Sequence, residues 1–205
     1  MVPKDKVRIG LEAGRNWVFA SALDWPGWCR RGKGEEAAID TLLEYARRYA
    51  EALAVTVPTT GRVEVIGRRL GGSNIDFGAP GASGPWDDEP LPAKEADRLV
   101  GLLDACWRRF DIVVDGAPGT LRKGPRGGGR DRGAIVDHVR EAERAYGSRI
   151  GTRVPPRTPW EEQRRIIAAG LRTRVPDARW PARYGIRRVA WHVLDHAWEI
   201  EDRSN

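Results

Sequence analysis

Apolar residues alternate at Val7, Ile9 and Leu11, stop at Gly14-Arg15-Asn16, and resume between residues 17 and 23 with aromatic and small apolar side chains. A period of two on either side of a turn predicts a pair of antiparallel strands, and Pro26-Gly27 ends the second. From Glu35 the period changes. Ile39, Leu42, Ala46, Tyr49 and Leu53 recur at helical spacing and predict one amphipathic helix. The β-branched run Val63, Val65 and Ile66 then adds a strand to a small sheet packed on that helix. Residues 1–70 therefore read as a small α/β domain.

Residues 71–93 show no period. They are dense in glycine and proline and carry a net charge of −4, which predicts a linker or a long surface loop. Helical patterning returns at Lys94, where Leu99, Leu103, Cys106, Trp107 and Phe110 share one face. Ile135, Val139, Ala142 and Tyr146 do so in a second segment. A third spans 160–175 with Ile167 and Leu171 inward, and a fourth spans 184–203 with Ile186, Val193, Ala197 and Ile200 inward. Pro155, Pro156, Pro159 and Pro181 fall between segments, where they break no helix interior. Four such helices over 94–205 predict a bundle. The expected fold class is α+β, with the two parts forming separate cores.

Composition narrows the picture little: 40% hydrophobic and 31% charged residues are ordinary for a folded protein. No stretch approaches the ~20 apolar residues of a membrane span, and the first ten residues lack the apolar core of a signal peptide, so a cytoplasmic protein is expected. Cys29 and Cys106 are far apart, which suggests neither a disulfide framework nor a thiolate zinc site. The net charge of +6 is diffuse except at 121–133, which alone carries +4.

Candidate chemistry centres on the three histidines of the chain, all on predicted bundle helices. His192 and His196 are four apart and project from one side of a helix one turn apart, as two ligands of one ion require. At ~100° per residue both flank the stripe of Val189, Val193 and Ile200 and can face an inter-helix cleft. His138 holds the comparable border position beside Ile135 and Ala142. Three imidazoles leave an open coordination position, as catalytic metal sites do. Against this stands the alternative that border histidines serve packing. Glu199, one turn beyond His196, can orient a ligand or serve as a base, but the preferred reading is an ordinary solvated helix charge; Asp195 points away from both histidines.

The run Ile135-Val136-Asp137-His138-Val139-Arg140-Glu141-Ala142-Glu143, followed by His192 and His196 in the last helix, resembles the DinB/YfiT-like metalloenzyme family over about residues 94–205. The resemblance implies a four-helix bundle holding a divalent metal, zinc, nickel or iron, on His138, His192 and His196. In some members of that family such a site activates a low-molecular-weight thiol for S-transfer. Many members continue after the last histidine with Arg-Gly-Gln, where this chain has Ala197-Trp198-Glu199. Nearer the N-terminus, Asp24-Trp25-Pro26-Gly27-Trp28-Cys29 followed by Gly32-Lys33-Gly34-Glu35-Glu36-Ala37 resembles the HicB-like antitoxin domain over about residues 5–70. The DNA-binding segment that usually follows in antitoxins is missing, which leaves an accessory or dimerisation module.

The loop Leu121-Arg122-Lys123-Gly124-Pro125-Arg126-Gly127-Gly128-Gly129-Arg130-Asp131-Arg132 precedes the helix of His138. Glycine amides, the forked donors of Arg126, Arg130 and Arg132, and a helix N-terminus can together take a carboxylate or phosphate. The alternative is a connection with solubilising arginines. No Gly-Lys-Ser/Thr closes the loop, so it is not a P-loop. The leading expectation is thus a metal-dependent transferase or hydrolase acting on a small molecule, in a chain able to form a homodimer. Two other readings stay open: a non-enzymatic interaction protein whose histidines are structural, and a weak, sequence-independent nucleic-acid binder using residues 121–132. Neither a membrane nor a nucleic acid is the expected partner.

Overall fold

The first two strands form as the alternation predicts. In the computed structural model, which describes residues 6–58, 62–124, 128–173, 175 and 178–204 (Ser73 by its backbone only), β1 (Val7–Ala13) pairs antiparallel with β2 (Val18–Ala22). Ile9 stands opposite Ala22 and Leu11 opposite Ala20. The short β3 (Cys29–Gly32) joins the far side of β2, and β4 (Val63–Leu70) runs parallel to β1, giving the order β3-β2-β1-β4. Sequence reasoning did not find β3, because four residues with a single apolar side chain offer no alternation to read. The expected single helix is divided at Tyr45, where ψ opens to −3°, into α1 (Glu35–Glu44) and α2 (Ala46–Leu53).

One face of the sheet, with Val7, Ile9, Leu11, Val18, Ala20 and Ala22, packs on α1 and α2 through Ala38, Leu42 and Tyr49. The Trp28 indole stacks on Tyr49 at 5.6 Å and donates to the Leu42 carbonyl at 2.7 Å, so its polar edge is satisfied inside the core. Residues 71–93, expected as a linker or a long surface loop, cover the opposite face. Ile75 is fully buried against this face, in a cluster with Phe19, Cys29 and Trp191. The Trp86 ring lies against Gly10 and Gly67, which are register partners on neighbouring strands. A Cβ at either glycine would come within 2.6 Å or 2.7 Å of the indole.

Four longer helices follow: α3 (Ala93–Gly116), α4 (Arg132–Arg149), α5 (Trp160–Arg172) and α6 (Ala182–Ser204). They close a ring in which α3 packs on α6, α6 on α4, α4 on α5 and α5 on α3. Their buried residues, among them Leu103, Phe110, Ile135, Ile167 and Val193, belong to the same apolar cluster as Ile9, Leu11 and Leu42 of the first part. The two separate cores expected from the sequence are therefore one continuous core. The molecule is α+β, with a mixed four-stranded sheet and six α-helices among the described residues. No described helix is long and apolar enough to cross a membrane.

Candidate metal centre

His138 sits in the first half of α4, between the buried Ile135 and Val139, and His192 and His196 sit midway along α6. The α4–α6 contact brings them together across 54 residues of sequence. His138 Nε2 and His192 Nε2 stand 3.2 Å apart. The ring centroids are separated by 5.1 Å for His138 and His192, 5.0 Å for His138 and His196, and 4.7 Å for His192 and His196. One ligand nitrogen from each ring lies within 4.8 Å of the other two, so the three histidines can hold a metal ion. Two imidazole nitrogens on a tetrahedral ion, at bond lengths of 2.0–2.1 Å, lie about 3.3 Å apart. The His138–His192 spacing matches that figure.

The surroundings of His138 and His192 favour neutral rings, the form that coordinates. Burial pushes the His192 imidazole well below its ordinary value, and the neighbouring His196, Arg188, His138 and Arg130 push the same way. His138 is lowered too, by burial first and then by His196 and Arg130. His196 is oriented from behind. Its Nδ1 lies 2.8 Å from Glu199 Oε2, and Arg203 Nη1 donates to Glu199 Oε1 at 2.7 Å. With Nδ1 donating to the carboxylate, Nε2 of His196 carries the free lone pair. The hydrogen bond from His196 is the main influence holding the Glu199 carboxyl below its usual range. Glu199 is therefore a positioning residue for His196, where helical spacing alone had suggested a solvated charge. Asp195 points away as expected and pairs with Arg30 at 2.8 Å.

The three arginines of the basic loop have separate fates. Arg126 lies outside the described residues. Arg132 turns inward, its Nη1 donating to the carbonyls of Val114 and Ala117 at the end of α3, where helix carbonyls lack intrahelical partners. Arg130 is exposed, and its charge helps to lower both His138 and His192. Residues 121–124 are tied to the end of α6: the Arg122 amide donates to the Arg203 carbonyl at 2.9 Å, and Arg203 Nε returns a bond to the Arg122 carbonyl at 2.8 Å.

Sequence reasoning missed the aromatic and cationic layer beside the histidines. The Tyr146 ring meets the His192 ring edge-on at 5.5 Å. The Arg188 guanidinium lies over Tyr146 at 4.9 Å and over Trp191 at 4.6 Å. Arg188 precedes His192 by four residues, the same spacing that separates the two histidines, and that spacing was the available signal. The cysteines are buried and contribute no nucleophile at neutral pH: burial raises the Cys29 thiol to about 12 and lifts that of Cys106 as well. Comparison with protein-family models, with curated proteins and with solved structures found no match to this chain.

Proposed function

We propose that His138, His192 and His196 bind one divalent ion, zinc, nickel or iron, with a coordination position left open, and that the protein is a metal-dependent enzyme of the DinB/YfiT-like type. The observation that carries this reading is the approach of the His138 and His192 Nε2 atoms to 3.2 Å beside a third ring whose Nδ1 is engaged by Glu199. Among the described residues the cluster consists of these three imidazoles, and three protein ligands are the pattern of catalytic sites. Such an ion supplies Lewis acidity that lowers the pKa of a thiol or water at its open position. The chain's own groups do the rest: burial keeps His192 unprotonated, Glu199 holds the proton of His196 on Nδ1, and Tyr146 walls the His192 ring from the side.

The substrate class is a small molecule, with a low-molecular-weight thiol in S-transfer or water in hydrolysis as the activated group. Residues 1–70, in their HicB-like reading, serve as an accessory cover or a dimerisation module, and the protein works in the cytoplasm. A second reading is favoured by the same contact, since 3.2 Å between two ring nitrogens also fits a hydrogen bond in which one ring donates. In that case the histidines hold α4 to α6 and no ion binds.

Elemental analysis of protein purified without an affinity tag and loaded with zinc, nickel or iron separates the two. The metal reading expects about one ion per chain, steep loss of affinity on replacing any of the three histidines by Ala, and retained helical content. Glu199→Gln should weaken metal binding ~10- to 100-fold, the usual effect of removing an outer-shell partner. Retention of no ion after desalting, with the histidine variants changing only stability, would overturn it.

A further inference from the structure

Between the covered face of the sheet and the first half of α6 lies a cavity of about 30 Å³, walled by Glu12, Ser21, Trp86, Tyr184, Arg188 and Trp191 among others. A buried water needs roughly 10–15 Å³, so the space holds about two water-sized groups. Three polar atoms of its wall residues are buried without a partner: Nε1 of Trp86, the hydroxyl of Tyr184 and Nη1 of Arg188. Tyr184 is only 4% exposed. Buried polar atoms are paired almost without exception, so three on residues that wall one cavity call for a partner, and the cavity has room for one.

The chemistry of that partner follows from the donors. An indole and a guanidinium can only donate, so the partner offers acceptors. Two water-sized positions suit the two oxygens of a carboxylate, and a guanidinium fork matches that geometry. The two neighbouring arginines differ in the way such a site needs. Arg187 is neutralised by the buried Asp87, whereas Arg188 is held over the Tyr146 and Trp191 rings with no carboxylate of the described residues paired to it. Glu12, the acid in the wall, already accepts from the Gly81 amide at 3.1 Å and 3.2 Å, and burial pushes its carboxyl up. Along α6, Tyr184, Arg188, His192 and His196 follow one another at intervals of four, an inclined row one turn apart that leads from the cavity toward the imidazoles.

We infer that this cavity is a carboxylate-binding site in which Arg188, Tyr184 and Trp86 donate to the bound oxygens. That the carboxylate belongs to a substrate handled at the imidazoles rests on the metal reading above; the binding itself does not.

The test uses the full chain stripped of metal by a chelator, titrated with formate and acetate and, as neutral isosteres, formamide and acetamide. Binding is followed through the fluorescence of Trp86 and Trp191 in the wall. Saturable binding of formate or acetate is expected, with none of either amide. Arg188→Gln should weaken it about tenfold or more, as loss of a charge-assisted bond does. Tyr184→Phe, which removes only a hydroxyl and carries the test if Arg188→Gln does not fold, should weaken it a few-fold. Glu12→Gln, which removes the opposing charge, should strengthen it. No saturable carboxylate binding, equal binding of the amides, or unchanged affinity in Tyr184→Phe and in folded Arg188→Gln would overturn the inference and leave water as the partner. Because no metal is present, failure here with a histidine site that loads leaves the metal reading standing, and the converse result leaves this one.

Discussion

At His192 burial is the largest influence on protonation, followed by the charges of His196 and Arg188, and all of them oppose the imidazolium. The unfolded chain binds a proton at this residue below about pH 6.5, whereas the folded chain refuses it until the pH is lower. Stability of the metal-free protein is therefore lost as pH falls below that value, with a slope from His192 of at most about 1.4 kcal/mol per pH unit. Glu12, Asp24 and Glu143, whose carboxyls burial raises, act in the opposite sense. The quantity to measure is thus the difference in slope between wild type and His192→Gln, from denaturant unfolding between pH 7.5 and 5 in chelator. The wild type should fall more steeply on acidification, and equal slopes would show that this ring is not held neutral. Residue by residue, His192 and His196 were legible as a pair from their spacing, and His138 as a candidate from its border position on its own helix. Glu199 was not, because position on a helix does not say whether a carboxylate extends to water or curls back to the ring one turn away.

The same limit recurs between elements, most clearly on α4. Its period predicts Ile135, Val139, Ala142 and Tyr146 inward, yet in its second half Ala142 and Tyr146 are half-buried and the deeply buried side chain is Glu143, only 1% exposed. The carboxylate accepts from Trp107 Nε1 of α3 at 2.7 Å and from Trp160 Nε1 of α5 at 2.6 Å, with Arg164 Nε at 3.6 Å. Three helices are joined at one side chain. Replacing Glu143 by Ala leaves the indole donors of the buried Trp107 and the half-buried Trp160 without an acceptor, and the expected cost is about 2–4 kcal/mol. Glu143→Gln should recover only part, since its amide nitrogen would face one of the donors. Urea unfolding measures both. A loss below ~1 kcal/mol in Glu143→Ala would show that water takes over the carboxylate's role. Metal stoichiometry should not change, because Glu143 is not among the clustered histidines.

For the whole molecule, the segment 71–93 decides how the parts relate. Its glycines and prolines predict a cleavable linker, but Ile75 and Asp87 are buried, Trp86 fits the space left by Gly10 and Gly67, and Arg187 pairs with Asp87 at 2.6 Å. With one apolar cluster running from Ile9 to Val193, the chain should unfold in a single transition seen alike by far-ultraviolet circular dichroism and tryptophan fluorescence. Limited proteolysis should spare 71–93. Two separated transitions, or early cleavage there, would restore the picture of two independent units.

Apart from β3 and the division at Tyr45, local patterning determined the kinds of element and their order, since a period of two or 3.6 fixes which residues share a face and needs no partner to do so. It placed His192 and His196 on one side of α6 for the same reason. Only the tertiary structure decided that α4 faces α6, that His138 completes the cluster across 54 residues of chain, and that an aperiodic stretch becomes the cover of a sheet. Those outcomes depend on shape fit between distant surfaces, such as an indole against two glycines or a carboxylate between two indoles. No local period carries that information, because each partner's position is set by the packing of the whole core.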